Sequence, residues 1–136
     1  MTAHITKIIE CPNPRIQPGY GTPKTPLYIC YLGVDEYRKV FVNDDGSGRI
    51  KNKKLMWDDR TKSMPPLPPV HAEKTEAKGM LGAVLKTYAP DVKDQVVKAF
   101  FLTKKSAKFD SAKYRIEFLY SQGPSMDERL LVLTPK

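Results

Sequence analysis

The sequence predicts a single α+β domain: an antiparallel sheet, made of an N-terminal strand, a three-strand meander and a C-terminal hairpin, with two helices packed on one face. Three observations predict it. Aromatic and β-branched runs alternate along both the first and the last third of the chain. Between them the apolar period lengthens from two to about 3.6. The chain has 136 residues, 40% hydrophobic and 28% charged, a size and balance that suit one folded domain over 1–136.

The elements follow in order. "ITKIIECP" (Ile5–Pro12) reads as a short isoleucine-rich strand, stopped by prolines. Residues 12–26 carry five prolines with Gly19 and Gly21, which predicts a loop, because proline cannot donate to a ladder. "LYICYLG" (Leu27–Gly33) and "YRKVFVN" (Tyr37–Asn43) are the clearest strands, joined by a tight turn at Val34-Asp35-Glu36. "NDDGSG" turns the chain again into "RIKNKKLMW", completing the meander. Four prolines in 65–69 make 63–70 a stiff polyproline connector.

Ala77, Met80, Leu81, Val84, Leu85 and Tyr88 then step by 3, 1, 3, 1 and 3, one apolar face of a helix with Thr75 or a neighbour as candidate cap. Gly79 and Gly82 weaken that helix, or admit a close neighbour. Pro90 suits the first turn of a second helix with Val92, Val96 and Phe100 on one side, although "KAFFLT" would also suit a strand. "KYRIEFLYS" (Lys113–Ser121) alternates strictly, "QGPS" turns, and "ERLLVLT" closes the hairpin.

Charge is the main functional signal. The net charge is +8, and two short stretches hold all of it. Residues 49–62 set Arg49, Lys51, Lys53, Lys54, Arg60 and Lys62 against Asp58 and Asp59. Residues 104–115 set Lys104, Lys105, Lys108, Lys113 and Arg115 against Asp110. Focused positive charge concentrates an anionic partner. In an extended strand Arg49, Lys51 and Lys53 share one face, with Tyr37 and Lys39 beside them and Trp57 within reach. Cations in a row track phosphates, and an exposed ring stacks on an unpaired base. The bland reading of the same residues is a core tryptophan and lysines that guard an edge strand.

Other chemistries fare worse. Counted from Asn43, the "NDDGSG" turn gives a partial calcium loop, but Lys54 stands where the bidentate glutamate belongs. Asp44-Asp45 and Asp58-Asp59 read as solvated loop acids, since adjacent strand residues point to opposite faces. His4 and His71 stand apart from any nucleophile or metal motif, so the sequence predicts no enzyme, metal or cofactor. Lys62 to Pro68 spaces a base and two prolines as a ligand of proline-recognition domains would, although a connector needs the same residues. The second helix offsets Lys93 and Lys98 with Asp91 and Asp94, too balanced to read a nucleic-acid groove.

No run is long enough to span a membrane, and Met1–Pro12 lacks the pattern of a secretory signal. The expected location is therefore the cytoplasm, where Cys11 and Cys30, although they could pair, default to small buried thiols. The expected function is non-catalytic nucleic-acid binding, with single strands favoured. The alternative is a small interaction or assembly module, of the kind viruses and mobile elements carry. It would dock an acidic protein or oligomerise through strand edges.

Overall fold

The computed structural model describes residues 15–22, 25–32, 37–44, 50–60, 70–124 and 126–136. The predicted strand at 5–12, Arg49, Lys62, the 45–49 turn and the prolines at 65–69 lie outside them. Among the described residues seven strands form one antiparallel sheet: β1 (Arg15–Thr22), β2 (Thr25–Leu32), β3 (Arg38–Asp44), β4 (Ile50–Asp59), β5 (Ala107–Asp110), β6 (Tyr114–Ser121) and β7 (Asp127–Pro135). Their order is β1-β2-β3-β4-β7-β6-β5, and the sheet does not close into a barrel. The described helices α1 (Val70–Tyr88) and α2 (Lys93–Leu102) are joined by a 3₁₀ turn at Pro90–Val92. The α+β class, the meander, the C-terminal hairpin and the helix pair are as the sequence predicts.

Alternation explains which face the helices cover. Val40 and Val42 of β3, Leu55 and Trp57 of β4, Ile116 and Phe118 of β6, and Leu131 and Leu133 of β7 all point inward and are buried. The helical stripe Ala77, Met80, Leu81, Val84 and Leu85 packs onto them, with Val96, Phe100 and Phe101 from α2. Phe100 meets Phe118 with ring centroids 5.3 Å apart, and Phe101 meets Trp57 at 5.3 Å. Each such large side chain contributes roughly 1.5–3 kcal/mol when fully buried. The helices bridge the junction of two hairpin systems: α1 packs on β4 and α2 on β6, with β7 between those strands.

Two local expectations need correction, one open choice is decided and one strand is added. Part of the proline-rich loop is strand β1. It sits at the sheet edge, and its register slips between Ile16 and Gly21, around Pro18, so the missing N–H breaks no interior ladder. Helix α1 begins at Val70, which leaves Thr75 inside it and not at its cap. "KAFFLT" stays helical to Leu102 because Phe100 and Phe101 both reach the core. The short strand β5 has no counterpart in the sequence reading; four residues give too little alternation to register.

A further correction concerns sulfur. Cys30 is disulfide-bonded, not a free thiol. A bridge depends on which segments the fold brings together, and sequence separation does not reveal that.

Candidate functional site

The predicted stripe on β4 does not assemble. Trp57 is 2% exposed and Tyr37 4%, so neither ring can stack on a base. Trp57 fills the space against Phe101. Tyr37 donates its hydroxyl hydrogen bond to Glu76 of α1; burial first, and that bond second, raise its pKa. Lys53 points to the same side as Leu55 and is 3% exposed. Its ammonium donates to the Tyr114 hydroxyl at 3.1 Å and lies 4.2 Å from the Tyr88 ring centroid and 4.7 Å from that of Tyr114. Burial lowers its pKa from 10.5 to about 8. Strand periodicity places Lys53 toward the helices and not toward solvent.

The neighbouring charges are occupied too. Asp58 and Asp59 are not loop acids: they end β4 and are buried. Lys39 pairs with Asp58 at 3.2 Å, and Arg129 pairs with Asp59 at 2.9 Å. Lys54 lies on the opposite face of the sheet from Lys53, half-buried beside Phe41 and Met56. Lys51 is exposed at the start of β4, and Arg60 is half-buried just past its end.

The second predicted cluster is scattered by the fold. Lys113 lies at the start of β6, where its carbonyl accepts the Lys136 N–H at 3.0 Å. Lys104 and Lys105 precede β5 near Tyr120, at the far end of the same strand, about 20 Å away. Arg115 sits opposite Asp110, and Lys108 opposite Glu117, in the β5–β6 register. Opposite charges so placed cancel much of each other's reach.

A different cationic surface forms where the sequence reading found balance. A groove of about 620 Å³ runs between α1 and α2, rimmed by Lys74, Lys78, Lys86, Lys93 and Lys98. Asp94 is the one acid along it. None of the five lysines forms an ion pair among the described residues. Lys74, Lys78, Gly82 and Lys86 recur every four residues and so fall on one row of α1. Lys93 Cε lies 3.8 Å from where a Cβ would stand at Gly82, an ordinary contact distance, and at Gly79 nothing lies within 4 Å. Lys104 and Lys105, from the predicted set, follow directly on the last turn of α2 and are exposed at that end.

Asp91 explains why this surface was hidden. It does not offset Lys93. Its carboxylate accepts from Ser111 Oγ at 2.6 Å and from the Ala112 N–H at 3.0 Å, tying the start of the second helical segment to the β5–β6 turn. Those bonds, the Ser111 one first, lower its pKa. The four-residue lysine row was present in the sequence, but a count of charge along the chain does not separate the faces of a helix.

No group of three or more potential metal ligands occurs among the described residues. No helix among them is long and apolar enough to cross a membrane. No protein-family model matches the chain, and no curated protein or solved structure matches it either.

Proposed function

We propose that this is a non-catalytic nucleic-acid-binding protein that captures the phosphate backbone along the interhelical groove. One observation carries the reading: five lysines rim one open groove with a single acid among them. Lysines in a row exchange the counterions of a polyanion for their own charge, and the released ions drive association. The row from Lys74 to Lys86 is about 18 Å long, enough to contact several successive phosphates. Lys104 and Lys105 stand exposed just past the end of α2.

A cytoplasmic setting belongs to this reading, since nucleic acid is abundant there. The disulfide at Cys30 pulls the other way, because such bonds are rare in that compartment. An acidic protein partner is the second reading, favoured by the apolar residues between the lysine rims.

The test is a binding titration with labelled oligonucleotides across a salt series. The logarithm of affinity should fall linearly with the logarithm of salt concentration. The double substitution Lys78→Glu and Lys86→Glu should weaken binding by about a hundredfold at low salt and flatten that slope. Lys51→Glu, on a different surface, should change little. Equal affinities for the wild-type and groove-reversed proteins would rule the groove out.

A further inference from the structure

The floor of the groove is not made of lysine. Val97, Phe101 and Leu102 of α2 face Gly79, Gly82 and Ala83 of α1 across it. Leu102 is 69% exposed, against 38% for Leu119, the other large apolar side chain open to water among the described residues. Above Gly79 there is open space. Burying an open leucine lowers the free energy only if the ligand brings apolar surface of its own. A bare chain of phosphates would satisfy the rims and leave that floor wet.

Resting on the nucleic-acid reading above, we propose that the groove takes a single strand lengthwise, with phosphates on the lysine rims and bases turned down onto Leu102 and Val97. Width separates single strand from duplex. Two packed helices lie about 8–10 Å apart, so the furrow between them is far narrower than a double helix. A duplex also keeps its bases stacked inside, where Leu102 cannot reach them. A single strand offers free base faces, and contact through faces is tolerant of sequence. The only aromatic side chain at the floor is Phe101, and it is largely buried against Trp57, so the contact is mainly aliphatic.

The experiment compares three labelled ligands of equal length on the full chain: oligothymidine, an abasic strand with the same phosphates, and a blunt duplex. Oligothymidine should bind about tenfold more tightly than the abasic strand, in line with covering one open leucine by a base. Leu102→Ser should remove that preference and leave affinity for the abasic strand unchanged. Because Leu102 is exposed, the variant should keep its fold, which circular dichroism checks. Equal affinity for all three ligands, lost together in the Lys78→Glu, Lys86→Glu protein, would overturn the base contact and leave backbone capture standing. If none of the three binds while an acidic amphipathic peptide does, both readings fall.

Discussion

Lys53 holds its ammonium in the core against two tyrosine rings, and its pKa of about 8 records what burial costs. The sign of the pH dependence follows. Between about pH 8 and 10 the folded lysine has lost its proton while the unfolded one keeps it. The unfolded state then binds more protons, and stability rises with pH, by up to about 3 kcal/mol. Burial also raises the pKa of Tyr88 and Tyr114, so above pH 10 the unfolded tyrosines ionise first and stability falls again. Lys53→Met should abolish the rising limb in urea titrations at successive pH values; an unchanged limb would place its origin elsewhere. Trp57 makes the second residue-scale case. With 2% exposure it should emit at short wavelength and ignore added oligonucleotide; quenching on titration would contradict its place in the core. Neither fate was legible locally. "KKLMWDD" fits an exposed strand and a buried one equally well. Only the helices lying over it decide, and they come from residues at least eleven positions further along.

At the scale of elements, α2 is fastened at both ends by polar side chains from the sheet region. Asp91 ties its approach to Ser111 and Ala112. Arg129 of β7 donates to the Phe100 carbonyl at 2.8 Å and the Thr103 carbonyl at 2.6 Å, satisfying acceptors that a helix end leaves open. The same guanidinium pairs with Asp59, both side chains being under 10% exposed. Arg129→Met should therefore cost about 3–5 kcal/mol, because it breaks a buried ion pair and removes both bonds to the helix terminus. Denaturant midpoints measure the loss. Amide exchange should locate it in the last turn of α2 and not in β2 or β3. The helices and five of the seven strands were legible because their periods repeat over enough residues. β1 was masked by Pro18, which an edge strand tolerates, and β5 by its brevity.

At the scale of the molecule, the surplus of charge was legible and its placement was not. The two basic stretches stand out along the chain, yet the fold sends their members into the core, to both sheet faces and to opposite ends of β6. The lysines that do converge are spread through a helical region of almost balanced charge, where the row along α1 matters more than the sum. That groove has a dependence of its own. Its walls rest on β4 and β6, and what fills the interval between those strands is β7. Leu131 and Leu133 of β7 are fully buried in the core that the helices cover, and Arg129 of the same strand holds the end of α2. All the groove lysines have been synthesised some thirty residues before that strand exists. A nascent chain would thus carry the cations without the shape, and the groove would take form only when β7 has emerged from the ribosome and slotted between its neighbours.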